Sequence, residues 1–287
     1  MAGLAALMVF PADAGNAADQ TLRIGWTAWA SSEATARLAA RVLGERLGYE
    51  VELVLATTPF LYAALAKGDL DVFLASWQPH GHRDHLAEVG RRVDDYGPLY
   101  TGARLGLAVP EGLVGREVGA IGDLRRPGAR RRLRGIVRGV DPGTGLMQRA
   151  AEALRAYGLE GYTLEPSSDA GAAAAIERAL RTRRPVVVTA RKPHWMFDVY
   201  GLRYLADPRG AFGGRQRVHK LTRTGFADDH PWASRVLGRM VIGRDTVARL
   251  IAAGRARGYA RAAARFTRRN AARVRYWVTG KIDAAER

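Results

Sequence analysis

The sequence holds no cysteine in its 287 residues. That absence excludes disulfides, thiolate metal sites, cysteine lipid anchors and a cysteine nucleophile, and it suits an exported protein. No stretch offers the ~18–20 uninterrupted apolar residues that a membrane-spanning helix needs. Negative charge is scarce: 28 Asp+Glu stand against 45 Lys+Arg, a formal net charge of +17. Most of the excess is Arg, gathered at Arg125-Arg126, between Arg130 and Arg134, between Arg181 and Arg184, and at Arg265, Arg268, Arg269, Arg273 and Arg275. Such a field would draw a polyanion with a steep salt dependence. It comes without a zinc finger, an aromatic RNP box or a helix-turn-helix. The charges therefore read as solvated faces, and nucleic acid is not an expected partner. Ser-x-x-Lys, Gly-x-Ser-x-Gly and P-loop patterns are missing too, which leaves covalent catalysis and nucleotide hydrolysis without a motif.

What is present is a repeated α/β pattern, in a chain whose 47% hydrophobic residues suffice for one large or two medium cores. An apolar run from Gly3 to Phe10 is followed by small residues at Gly15 and Ala17. It resembles a secretory signal ending near Ala17 or Ala18, without the basic start such signals carry. Leu22-Arg23-Ile24 predicts a strand. Ala34, Leu38, Val42, Leu43 and Leu47 predict a helix from about Ser32 to Gly48. Val51, Leu53 and Leu55 alternate as a strand, Thr58-Pro59 opens a helix ending at Gly68, and residues 70–74 read as a third strand. This β-α-β-α-β order is that of a parallel sheet.

Another strand is expected at 103–109, closed by Pro110, then a polar surface stretch at 111–135. A second repeat begins at Ile136. It runs through a strand to Val140, the turn Asp141-Pro142-Gly143-Thr144-Gly145, a helix to Tyr157, a strand at 162–164, an Ala-rich helix at 170–180 and a strand at 186–189. Three more helices are expected at about 231–240, 245–254 and 257–277. Two repeats joined by one strand predict two lobes, with a ligand cleft between them and two short crossovers as a hinge. The expected division is a signal or tail at 1–18, the first part of lobe I at 19–109, lobe II at 110–214, and a return to lobe I with C-terminal helices at 215–287.

The stretch most concerned with function is 74–85, Leu-Ala-Ser-Trp-Gln-Pro-His-Gly-His-Arg-Asp-His. It places Trp77 at the mouth of a strand, where open α/β sheets bind ligands. An indole face can hold an organic cation, and His82 can donate to an anion. A Trp that merely plugs the core and a solvated His would leave the same trace. His80, His82 and His85 have tolerable metal spacing, but no fourth ligand accompanies them, so neither a metal nor a cofactor is expected.

In order and spacing, several short stretches together resemble the glycine betaine/proline betaine (quaternary amine) substrate-binding proteins of ABC importers. They are Gly25-Trp26-Thr27-Ala28-Trp29, Gly68-Asp69-Leu70-Asp71, Ser76-Trp77-Gln78-Pro79, Gly97-Pro98, Leu105-Gly106-Leu107-Ala108-Val109-Pro110, Asp141-Pro142-Gly143-Thr144-Gly145 and Pro193-His194-Trp195-Met196-Phe197. The similarity runs from about Leu22 to Val241. It implies the type II periplasmic-binding fold: two α/β lobes joined by a two-strand hinge. It implies no enzymatic activity, a periplasmic or extracytoplasmic location, a monomer, and delivery of a small betaine-like ligand to permease subunits with a separate ATPase.

In that family Trp faces cage a quaternary ammonium, which has no N–H and is recognised by dispersion and ring quadrupoles; oriented donors hold the carboxylate. The resemblance implies that Trp29 and Trp77 are cage residues meeting across the gap between the lobes. It implies that His82 and the amides of Gly145 and Leu146 hold the carboxylate, with Trp26, Trp195 and Thr144 as secondary candidates. One position departs: where the family carries a third cage Trp, this chain has Arg191. The lost ring forfeits about 1–2 kcal/mol. A guanidinium ~6 Å from an ammonium adds about 2–3 kcal/mol of repulsion at an effective dielectric of ~20. Either Arg191 swings out and Trp26 or Trp195 closes the box, or it grips an anionic or planar group of a different solute, or the protein binds no betaine.

Overall fold

The computed structural model describes residues 21–113 and 118–282; the expected signal at 1–18 lies outside them. Lobe I opens with β1 (Thr21–Trp26), α1 (Ala30–Leu47), β2 (Glu50–Leu55), α2 (Thr58–Lys67), β3 (Val72–Gln78) and α3 (Arg83–Val89). The long strand β4 (Val93–Pro110) leads into α4 (Pro127–Leu133), β5 (Ile136–Arg138), α5 (Gly145–Ala156), β6 (Thr163–Glu165), α6 (Asp169–Thr182), β7 (Val187–Lys192), α7 (Met196–Tyr200) and β8 (Leu202–Tyr204). The chain returns through β9 (Arg215–Arg223) to α8 (Phe226–Asp229), α9 (Pro231–Arg239), α10 (Arg244–Arg257), α11 (Tyr259–Arg269) and α12 (Ala271–Thr279). Among the described residues no helix is long and apolar enough to cross a membrane.

The sheet order is β2-β1-β3-β9-β4-β7-β5-β6, with β8 on β4. β2-β1-β3 and β7-β5-β6 are each parallel, as crossover helices require. Between them β9 and β4 run antiparallel and join the two halves. β4 pairs with β9 from Val93 to Arg104 and with β7 from Arg104 to Ala108. The change of partner thus falls at Arg104, where the sequence reading places the crossing near Pro110. The reason is that one uninterrupted strand serves both lobes.

Helix limits follow local chemistry. α1 begins at Ala30 rather than Ser32, because the Ser32 hydroxyl accepts the Thr27 N–H at 3.0 Å instead of capping from outside. α2 carries Pro at its start and ends on left-handed Gly68. The single helix expected at 257–277 is two, α11 and α12, broken at Asn270. The stretch at 111–135 is not all surface: Ile121, Leu124 and Leu133 are buried. One apolar cluster contains Leu22, Ile24 and Leu38 of lobe I together with Val137, Leu146 and Ala150 of lobe II, so the core is continuous across both lobes, and the lobes touch at Gly81 and Gly145.

Candidate ligand-binding cleft

Trp29 precedes α1 and Trp77 is the last but one residue of β3, inside the strand rather than beyond it. Both are buried, with ring centroids 6.3 Å apart and planes at 84°. The two indoles therefore meet, but both belong to lobe I. The group that comes to them from lobe II is Arg191 of β7, whose guanidinium carbon lies 4.0 Å from the Trp29 ring centroid. Arg191 has not swung out.

A second set of residues fixes the donor end. His82 is fully enclosed, and burial, with His85 nearby, pushes its pKa down to about 3. It is a neutral ring at pH 7. Its Nδ1 lies 3.1 Å from the Tyr62 hydroxyl, which lies 2.7 Å from Ser76 Oγ. Gln78 Nε2 donates both to Ser76 Oγ at 3.3 Å and to Asp95 at 3.0 Å. A carboxylate only accepts, so the amide nitrogen faces Asp95 and its other hydrogen goes to Ser76. Ser76 then donates to Tyr62, and Tyr62 to His82 Nδ1. The reverse direction would leave the Ser76 hydroxyl hydrogen without an acceptor among these groups. With Tyr62 donating to Nδ1, the proton of His82 sits on Nε2, a buried nitrogen with no protein partner.

Opposite His82 stands the N-terminus of α5. Thr144 caps it, its Oγ1 accepting from Met147 N at 3.4 Å and donating to the Asp141 carbonyl at 2.9 Å. As the first two helical residues, Gly145 and Leu146 have amides without intrahelical acceptors, at the positive end of the helix dipole. A Cβ on Gly145 would lie 3.3 Å from His82 Cδ2 and 1.3 Å from the Gly81 carbonyl oxygen. Only glycine admits that approach of lobe II to lobe I. Beside it, His85 Nε2 donates to the Gly143 carbonyl at 3.2 Å, and Arg149–Asp84 and Arg83–Glu152 stand at 3.8 Å. The hinge supports the same turn: buried Gln216 of β9 accepts from the His80 and Gly81 amides, each at 3.1 Å.

The remaining candidates make contacts of their own. Trp26 carries Arg37 over its face at 5.8 Å. Trp195 lies between His194, 5.5 Å away and stacked, and Arg255 of α10 at 3.5 Å; it ties the lobes on the far rim. His80 packs against Gly213. Among the described residues no cluster of three side chains is fit to hold a metal. Sequence reasoning missed Asp169, at the start of α6. It accepts from Arg191 Nη1 at 3.0 Å, from Arg191 Nη2, and from His194 Nε2 at 3.1 Å. Burial alone would raise the Asp169 pKa, but Arg191 and His194 outweigh it and hold the group well below the usual carboxylate range. His194 is pushed down by burial and by Arg191, so it donates as a neutral ring.

Comparison with known proteins places this chain in a family. Residues 20–269 match the model of the substrate-binding domain of ABC-type glycine betaine transport systems. A 103-residue segment is 35% identical to the glycine betaine/carnitine transport binding protein GbuC of Listeria monocytogenes, covering 35% of this chain but only 34% of that protein. The lactococcal OpuAC structure, closed on glycine betaine, superposes with a TM-score of 0.84 at 25% identity, over 91% of this chain and 100% of that one. A glycine betaine/L-proline-binding protein of Borrelia burgdorferi gives 0.84 at 28% identity, over 90% of this chain and 97% of that one. The chain thus belongs to the family of substrate-binding domains of ABC-type glycine betaine transport systems.

Proposed function

We propose that this chain is an exported, monomeric solute receptor, not an enzyme, that closes on one small carboxylate-bearing molecule and presents it to an ABC permease driven by a separate ATPase. The observation that carries this reading is the buried, unpartnered Nε2 of neutral His82 on a ring that lies against the N-terminus of α5 from the other lobe. An anion between them receives donors from both halves, and binding favours the closed state by that differential contact. The signal-like segment at 1–18 and the lack of cysteine fit an extracytoplasmic site. Trp29 and Trp77 wall the other end of the solute, of the size of glycine betaine, which the lactococcal relative holds. The position of Arg191 favours a second reading of that other end, in which the solute is more anionic or planar than a betaine.

Calorimetric titration and thermal melting with glycine betaine, proline betaine, choline, carnitine, ectoine and dicarboxylates test the proposal. One solute should bind with one-to-one stoichiometry and raise the melting temperature, since it binds only the folded state. Trp77→Ala should weaken that solute at least a hundredfold. Silence across the whole panel would remove the receptor reading.

A further inference from the structure

Arg191 occupies the position over the Trp29 face that a ligand cation takes in an aromatic cage, within the ~6 Å range of a cation–π contact. It is 2% exposed, and both ends of its fork are held by Asp169. A planar guanidinium in a two-point carboxylate pair is a fixed part of the wall. Rotating it away would leave Asp169, ionised at the start of α6, with His194 as its remaining donor. Arg191 and Trp77 also hold matching places in the two lobes: each stands two residues before a proline, near the ends of β7 and β3. One cage wall has thus been exchanged for a built-in, neutralised cation.

Buried polar atoms on the strands and turns that carry the candidate residues agree. Arg191 Nε, Trp77 Nε1 and His82 Nε2 are all buried without a protein partner. Arg191 Nε and Trp77 Nε1 carry N–H by their chemistry, and His82 Nε2 does so when Tyr62 donates to Nδ1. Thr27 Oγ1 and Thr189 Oγ1 are likewise buried and open. A trimethylammonium offers none of these groups an acceptor, and a buried unmet donor is costly. Oxygen atoms answer them. A chain of net charge +17 also favours the approach of an anion over that of a cation.

We infer that the cleft takes a small carboxylate whose far end bears oxygen acceptors and no quaternary nitrogen, as a hydroxy- or dicarboxylic acid does. This rests on the receptor reading above and narrows its ligand. The test is calorimetric titration of the full chain with malate, succinate, glycine betaine and choline. Malate or succinate should bind the wild type at least tenfold more tightly than glycine betaine, with choline giving no heat. Arg191→Trp alone strands Asp169 in the wall, so it is combined with Asp169→Asn, and melting curves confirm folding. That double variant should reverse the preference, gaining glycine betaine affinity at least a hundredfold. Tighter binding of glycine betaine than of either dicarboxylate by the wild type would overturn the inference while leaving the receptor reading intact. Absence of heat with all four solutes, in both proteins, would overturn both.

Discussion

Gly145→Ala separates folding from closure. Gly145 opens α5 without a positive φ, so alanine suits its backbone and stabilises the fold by roughly 0.4–1 kcal/mol, through a less flexible unfolded chain. The lobe itself should fold at least as well as before. In the closed state, however, the new methyl would sit 1.3 Å from the Gly81 carbonyl oxygen, where ordinary contact begins at 3.4 Å. Backbone atoms cannot yield as a flexible side chain does, so the lobes must part by about 2 Å, the difference between those two distances. That separation breaks the 3.2 Å bond from His85 to the Gly143 carbonyl, worth about 1 kcal/mol. It also withdraws the α5 amides from a ligand anion, at about 1.5–3 kcal/mol for a charge-assisted bond. A loss near 3 kcal/mol is more than a hundredfold in affinity. Calorimetric titration with the best solute should show that loss, alongside an unchanged or higher melting temperature without ligand. Affinity within threefold of wild type would refute the closed geometry; a collapsed melting temperature would refute the claim that the clash is confined to closure.

Three further outcomes are expected. Tyr62→Phe removes the donor to His82 Nδ1 and strands Ser76 Oγ, so it should cost about 1–3 kcal/mol in denaturant stability and about tenfold in solute affinity; unaltered affinity would dissociate the relay from binding. Nitrogen NMR of the His82 ring should show the neutral Nε2–H form from pH 5 to 8, since its pKa lies near 3; protonation near pH 6.5 would contradict it. Burial lowers the pKa of Lys220 from 10.5 to about 8, although its Nζ donates to the Met240 carbonyl at 2.9 Å. Between those values the unfolded chain binds more protons, so this group's contribution to stability rises with pH from 8 to 10.5. The stability advantage of Lys220→Met over wild type should therefore be largest at pH 7 and shrink by pH 10; a constant gap would mean that burial does not lower the Lys220 pKa.

Both parallel triplets of the sheet were legible because their strands are apolar and alternate with helices that end on glycine, as at Gly48 and Gly68. β9 was not. Its sequence, Arg-Gln-Arg-Val-His-Lys-Leu-Thr-Arg, reads as a solvated segment, yet Gln216, Lys220 and Thr222 are buried in it. Gln216 and Lys220 find partners only across the fold, at the His80 and Gly81 amides and the Met240 carbonyl, which no local pattern encodes. The first half of β4 was hidden likewise by Asp94, Asp95 and the Gly97-Pro98 break. At the site, the family pattern pointed to Trp29, Trp77, His82 and Gly145. The expected meeting of the indoles across the gap is at odds with the division that puts 19–109 in one lobe; Trp29 follows β1 and Trp77 lies in β3, neighbouring strands of the same half-sheet. Asp169 read as an ordinary acid in the first turn of a helix, and nothing in sequence links it to Arg191 across 22 residues. The relay from Asp95 to His82 joins β4, β3 and α2, and its members are unremarkable one by one.

Because the chain has no cysteine, paired labels can be introduced without background. Ala63→Cys on α2 and Ala156→Cys at the end of α5 are exposed sites on opposite lobes, and the distance between spin labels on them reports closure directly. On addition of the solute that binds best, the distribution should narrow and shorten in proportion to occupancy. In the Gly145→Ala background it should stay long at the same solute concentration. A distribution indifferent to a bound solute would mean that the lobes do not close on it, and the capture account would fail.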